Sequence, residues 1–545
     1  MLRAIQRRLP ALLALSFAAC FVAVASIQLE GQGLHYDELH QAPAAFAWVG
    51  KEAPFFNLVQ VWGIPLLNMS YSGALKSTLF GWWLRLSGAP FSVVSWRMAG
   101  ILLGGLGVGV LTASGRRKLP ITAHLLLGAL ILGDVSLLVL CRPDWGPVAL
   151  GFLLRALFVS AWVTAETSPE SRRRYALAMG ALVGVAIFEK LSSVVLVVPL
   201  AVCIAMSPRL RTRTGLVSAG TGMVLGLLPL AMVNAVSWKR SRSLVSLGGL
   251  EHRELTWESL ASHLKAYSTL GPGEQALDFV LASAPAPWAA TWNAAAMCVA
   301  LAIIIVAGVR AREGLGRLAA AAAVSWLGIG VALWLLPRGT WIHHWLAGTP
   351  FQYTALALGA AAWPLQTAGP GDRWRERLPQ LAWRSLLAGC VGAVVLTGLI
   401  GLLGFGRAVA RGAHGEAWSP DLTSLGRAAG RQGEGATFIA ADWGVATQIY
   451  CLSNGRAGLV SEPFWEYQGV EALARLLAER HAQIFYVVGL HPRSEVAPDA
   501  TRRIFEDAAR LPGWREGPVE PEMARLVAVE VRKYLAVTPE PRPGE

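Results

Sequence analysis

ALLALSFAACFVAVASIQLEGQGLHYDELHQ, residues 11–41, begins as an unbroken apolar run and ends on two carboxylates, Asp37 and Glu38, set between His35 and His40. About 20 apolar residues in helical form cross the roughly 30 Å of hydrocarbon in a bilayer. The run near 9–29 meets that length, and the acidic pair follows eight residues after it. The reading of this stretch as a membrane span that opens onto a charged loop decides the rest. A secretory signal fits the arginine-rich start and the AVA at 23–25 only loosely, because signal h-regions are typically 7–15 residues. The loop after the run faces away from the cytosol in either case.

Composition agrees with a membrane chain. Of 545 residues, 54% are hydrophobic and 15% charged, against roughly 25% charged in soluble domains. The 22 Trp suit the membrane–water interface. Further apolar runs lie near 93–114, 120–140, 146–165, 175–189, 191–207, 215–236, 290–309, 318–336, 346–366 and 384–406, so about eleven spans are expected. The net charge is +13, and residues 407–545 carry 16 Lys and Arg against 18 Asp and Glu, so the basic excess belongs to the first 406. That excess is clustered between spans: Arg3, Arg7 and Arg8; Arg116, Arg117 and Lys118; Arg172, Arg173 and Arg174; Arg209, Arg211 and Arg213; Arg310, Arg312 and Arg317; Arg373, Arg375 and Arg377. Every alternate loop is basic, which is topology signalling, not nucleic-acid binding. It places the amino terminus in the cytosol and the tail outside it.

The expected organisation is a polytopic α-helical membrane domain over 1–406 and a small extracytoplasmic α/β domain over 407–545. In the tail ATFIAADW (436–443), IYCLS (449–453), QIFYVVGL (483–490) and RLVAVEV (525–531) read as strands. VEALARLLAERHA (470–482) and ATRRIFEDAARL (500–511) read as helices. PEPRPGE at the end reads as disordered. Two long external loops, 30–92 and 237–289, contain FAWVG, FFNLVQVWG, LFGWWLRLSG and ESLASHLKAYSTL. These amphipathic pieces read as surface helices lying along the membrane face. The cysteines form no disulfide framework, and no internal repeat marks an inverted-repeat transporter.

The ionisable residues of the external loops are the candidate site. Adjacent side chains diverge on a helix or strand, so Asp37 and Glu38 take different roles: one a base, the other a support. CRPDWGP (141–147) puts Arg142 and Asp144 in a turn too short to leave the membrane surface, where charge is costly and faces a cavity or a partner. Lys190, in FEKLSS, is either a snorkelling anchor or a fixed cation for a phosphate. Tyr71 and Lys76 stand in MSYSGALKSTLF, and His343 and His344 in WIHHW open a late span. Adjacent histidines ligate one ion poorly, and no histidine spacing is a zinc signature. A divalent metal is compatible with these residues but is not indicated by them.

These motifs resemble the GT-C superfamily of membrane glycosyltransferases, in the branch of the protein O-mannosyltransferases and the bacterial lipid A aminoarabinose transferase. YDELH (36–40) is similar to the acidic motif after their first span, and RPDWGP offers Asp144 for the acid of the next external loop. FEKLSSVVLVVP (188–199) is similar to a lysine pattern of the aminoarabinose branch, and HHWLAGTPF (343–351) to a His/Tyr-rich entry to a late span. The family's His-Pro-Pro-Leu-Tyr-like segment is replaced by MSYSGALKSTLF. The resemblance implies a plasma (inner) membrane enzyme that moves a sugar, with inversion, from a polyprenyl-phosphate donor to an envelope lipid, polysaccharide or protein. It implies Asp37 as base with Glu38 in support, Lys190 and Arg142 on the phosphate, Lys76 as a weaker cation, and Asp144 on the sugar or a cation. Tyr71, His343 and His344 complete the substrate contacts. The rival reading is a transporter or lipid flippase, which would place its charge at the bilayer midplane. A third is a scaffold whose tail binds glycans or a partner.

Overall fold

The computed structural model describes residues 2–52, 58–115, 118–167, 172–245, 255–284, 287–310, 314–337, 340–362, 374–491 and 495–537. Arg116, Arg117, Arg312, Arg373 and the terminal PEPRPGE lie outside these, so the basic loops are described only in part. The chain divides into two compact units. One comprises 1–28, 60–73 and 97–411; the other comprises 29–59, 74–96 and 412–545.

The first unit is the membrane body. Among the described residues, seven helices are long and apolar enough to cross a bilayer: Arg8–Ala25, Val93–Thr112, Val148–Thr167, Arg213–Ser241, Pro287–Val309, Leu315–Trp334 and Leu381–Ala410. Ile121–Leu132 and Val135–Cys141 make an eighth if the pair, bent by 59°, is one span. The chain is a multi-pass membrane protein. The other expected spans are helical but shorter or more polar. Arg172–Glu189 opens on three arginines, Leu191–Met206 starts as a 3-10 turn, and Phe351–Ala362 has 12 residues. Arg172–Glu189 nevertheless packs backbone to backbone on Arg213–Ser241. A Cβ at Gly180 would stand 1.9 Å from the Ala219 carbonyl oxygen, and one at Gly222 2.0 Å from that of Leu177. With Gly184 and Gly226 one turn on, this is the small-residue spacing that lets membrane helices touch.

FFNLVQVWG does not form a surface helix. Among its described residues Val59–Val61 is strand β1, which pairs with β2 (Ile64–Met69), and β2 pairs in turn with β3 (Ser72–Gly73). Trp62 and Gly63 both have positive φ, as a two-residue hairpin turn demands. The alternation around that turn outweighs the aromatic content that suggests a helix. LFGWWLRLSG and ESLASHLKAYSTL are helical as expected, within Leu75–Ser87 and Trp257–Ser268.

The second unit holds a five-stranded sheet in the order β5-β4-β6-β8-β7. Its strands are β4 (Ala436–Ala440), β5 (Val460–Ser461), β6 (Ile484–Leu490), β7 (Trp514–Gly517) and β8 (Val529–Ala536). β4 runs parallel to β5 and β6, and β8 antiparallel to β6 and β7. Helices Val470–Glu479 and Pro498–Ala509 lie where their apolar spacing predicts. IYCLS is not a strand: it ends the helix Val445–Leu452. Val445 through Cys451 are all buried, so no polar face reveals the helical period.

Candidate functional site

In the membrane unit the predicted residues are gathered by the turn after Cys141. The Val135–Cys141 helix begins at Asp134, whose Oδ1 accepts the Leu137 N–H at 2.9 Å. Arg142 follows that helix, and its guanidinium turns to the end of the first span. It donates to the carbonyls of Ala25 (2.8 Å), Ile27 (2.7 Å) and Gln28 (3.3 Å) and lies over the Phe405 ring. A cation suits the negative end of a helix. Asp144 is fully buried, and its Oδ1 accepts the Ala149 N–H at 2.7 Å, which caps the next helix.

Gly146 has φ +68°, a conformation that brings its carbonyl oxygen within 3.1 Å of the Lys190 ammonium. Lys190 itself is held by β3. It bridges to Ser72, and the Leu191 N–H donates to the Tyr71 carbonyl at 3.1 Å. His343 packs 4.6 Å from Trp145 and 4.0 Å from His344. Both imidazoles are pushed well below the ordinary range, first by burial and then by the Lys190 charge, so both are neutral at pH 7. A neutral imidazole still donates one N–H. Lys190, His343, His344, Ser192, Ser193 and Gly146 therefore line one cleft with a fixed cation and several small donors.

Two features of this unit escape the sequence reading. Glu189 is buried beside Lys190, and a Cβ on Gly73 would meet its Oε2 at 2.7 Å. Arg155, at the same cleft, donates from Nε to the Thr349 carbonyl at 2.6 Å, and the Thr349 hydroxyl donates to Asp134 at 3.2 Å. Asp134 and Arg155 interrupt apolar runs, which is a signal that sequence carries. A second cavity of this unit is lined by Trp162, Glu166, Ser207, Arg209 and Arg317 and holds none of the predicted residues. Ser207 and Arg209 both bond to Glu166, so much of its polarity is matched internally.

In the second unit YDELH forms the short helix Tyr36–Leu39. His35 caps it, its Nδ1 accepting the Asp37 N–H at 3.2 Å while the ring stacks on Trp418. The two carboxylates part as adjacent side chains must: Glu38 is fully buried and Asp37 half-buried. The His40 Nδ1 lies 3.8 Å from Asp37. Burial lowers His40 to about 4, and burial with the His40 charge lowers His35 to about 3, so both rings are neutral at pH 7. Lys76 is buried in the first turn of Leu75–Ser87, its ammonium 3.9 Å from the centre of the Trp96 ring. The neighbouring Ser77 hydroxyl donates to the Gln41 carbonyl, which ties this helix to the chain just after YDELH.

The structure thus brings Lys190, His343, His344 and the Asp144 turn together in one unit, with Tyr71 behind them. It sets Asp37, Glu38 and Lys76 in the other. Among the described residues no group of three or more His, Cys, Asp or Glu is placed to hold a metal ion.

No family model matches the sequence, and no curated protein does. Solved structures do. The crystal structure of ArnT from Cupriavidus metallidurans in the apo state superposes with a TM-score of 0.59 at 14% identity, covering 95% of this chain and 97% of that one. The chain shares that fold. The same ArnT bound to undecaprenyl phosphate gives a TM-score of 0.58 at 12% identity over the same shares. A cryo-EM structure of the arabinofuranosyltransferase AftD from Mycobacteria aligns with 98% of this chain but 40% of its own length, at 14% identity and a TM-score of 0.45. The last adds nothing to the fold assignment.

Proposed function

We propose that this chain is a glycosyltransferase that takes its sugar from a polyprenyl-phosphate carrier and delivers it to a hydroxyl at the outer face of the plasma (inner) membrane, with the amino terminus in the cytosol. The observation that carries the reading is the shared fold over 95% of the chain with a protein crystallised with undecaprenyl phosphate. Fold alone does not fix chemistry, so each step is assigned to a residue. The donor's leaving group is a phosphate, which needs a fixed cation as its bond to the anomeric carbon breaks. Lys190 is assigned that task, with the neutral His343 and His344 donating to the phosphate oxygens and Tyr71 behind the loop. The acceptor hydroxyl needs a base to take its proton as its oxygen bonds to the anomeric carbon. Asp37 is assigned as base because its carboxylate is half-open, whereas Glu38 is buried and supports the helix. A single displacement inverts the anomeric centre. Asp144 is assigned to the framing of the Lys190 loop and sugar contact, Lys76 to a secondary cation, and Arg142 to its helix-end carbonyls.

The test is mass spectrometry of envelope lipids, polysaccharides and proteins from cells with and without this chain. A missing sugar modification names donor and acceptor together. An unchanged glycan profile with altered lipid or solute transport would establish the flippase or transporter reading instead.

A further inference from the structure

The second unit carries a set of side chains that the transfer chemistry does not use. Strand β4 leads to β5 on one side and lies beside β6 on the other. Open parallel sheets place ligands at such a switch in strand order, outside the carboxyl ends of the strands. Three segments leave the carboxyl ends of these parallel strands: ADWG (441–444) after β4, EPFWE (462–466) after β5, and 491–497 after β6; the first two carry the indoles. Asp442 is spent on structure, accepting the N–H groups of Trp443, Val496 and Ala497. Trp443 is left half-open, with Tyr36 against it at 3.7 Å between ring centres and Trp465 at 6.1 Å, nearly edge-on.

Trp465 is 63% exposed. A single exposed apolar residue needs no explanation, but this one is fixed. Its ring packs on Phe464 at 4.5 Å, and its indole N–H is bonded to the Glu462 carboxylate, which the Gly444 N–H also bonds. Burial of Glu462, with Asp442 nearby, pushes its carboxyl up to about 7. An indole held by Phe464 and Trp443 with most of its surface toward solvent argues for a ligand on that face. ADWG, EPFWE and YDELH contain no Lys or Arg, so these segments supply no cationic side chain to a ligand. A weakly ionised carboxyl beside tilted indoles, not a closed aromatic box, suits hydroxyl groups better than a cation.

We infer that the loops after β4 and β5 form a carbohydrate subsite, in which Trp465 and Trp443 present ring faces to the C–H side of a sugar ring and Glu462 bonds its hydroxyls. The choice of a sugar rests on the glycosyl-transfer reading, and the subsite would position one partner of that reaction. The experiment is saturation-transfer NMR on the full chain, purified in a detergent without a sugar headgroup, with a panel of methyl glycosides and with tetramethylammonium as a cationic probe. The expected result is transfer to the ring protons of at least one glycoside, reduced at least five-fold in Trp465→Ala and kept in Trp257→Ala, another exposed indole. Trp465→Phe, which keeps a ring but no N–H, should retain part of the signal. No transfer to any glycoside, an equal signal in Trp465→Ala, or transfer to tetramethylammonium alone would overturn the subsite. Sugar binding that depends on Trp465 in a chain whose loss leaves envelope glycans unchanged would uphold the subsite and refute the transferase reading. Changed glycans without such binding would do the reverse.

Discussion

Gly146→Ala tests the proposed phosphate-binding cleft through a residue with no side chain of its own. A methyl there would stand 2.6 Å from the Lys190 ammonium nitrogen and 3.2 Å from the His343 Cδ2. The ammonium is the far end of a flexible side chain, so it swings away and the fold persists. The left-handed backbone, at φ +68°, adds a strain of about 1–2 kcal/mol, which lowers the melting temperature modestly. A hydrogen bond to a charged group contributes about 1.5–3 kcal/mol. Displacing the ammonium should therefore weaken binding of a lipid phosphate by roughly 10- to 150-fold, at about 1.4 kcal/mol per tenfold. The assay is native mass spectrometry of the purified chain titrated with undecaprenyl phosphate. Lys190→Met should show a loss of similar size, and the double variant no more than Lys190→Met alone, because both remove one contact. Unchanged affinity in Lys190→Met would refute the placement of Lys190 as the phosphate cation, and unchanged affinity in Gly146→Ala, or full additivity in the double variant, would refute its positioning by Gly146.

Two further outcomes follow from buried charge. Arg155→Met removes the donor to the buried Thr349 carbonyl and should cost about 1–3 kcal/mol, and Asp134→Asn with Arg155→Met should cost less than the sum of the two single changes. Thermal unfolding of Arg155→Met, Asp134→Asn and the double variant decides this, and losses that simply add would show that the Asp134–Thr349–Arg155 chain is not one network. His35 and His40 are lowered to about 3 and 4 in the folded chain, below the ordinary imidazole value of about 6.5. Between those values the unfolded chain binds more protons, so stability present above about pH 6.5 is lost as pH falls toward 4. His35→Asn keeps a side-chain acceptor for the Asp37 N–H and does not titrate. Its melting temperature should match the parent at pH 7.5 and fall less between pH 6.5 and 4.5; an identical acid profile would sink this assignment.

The membrane architecture was legible because length and apolarity carry it. Each of the eleven apolar runs contains helix among its described residues, though Arg172–Glu189 is made more polar by its arginines and shows itself as a packed helix through the Gly180 and Gly222 contacts. YDELH showed its divergence directly, since adjacent positions on any regular backbone point apart. The errors came where one signal masked another. FFNLVQVWG looked helical for its aromatic content, while Trp62-Gly63 quietly fixed a hairpin. IYCLS looked like a strand because the helix it ends is buried all round. For Arg142, sequence cannot show that the carbonyls of Ala25, Ile27 and Gln28 lie within its reach. Trp443, Glu462 and Trp465 passed unnoticed because only the order of β4, β5 and β6 in the sheet sets their loops at one edge.

Asp37 is the half-open carboxylate on which the proposed chemistry turns, and Asp37→Asn changes one oxygen to nitrogen with little change of shape. Expressed in cells lacking the parent chain, at matched membrane levels, it should leave envelope glycans in the deletion state by mass spectrometry, with Glu38 and the YDELH helix intact. Restoration of the parental glycan profile by Asp37→Asn would contradict the account.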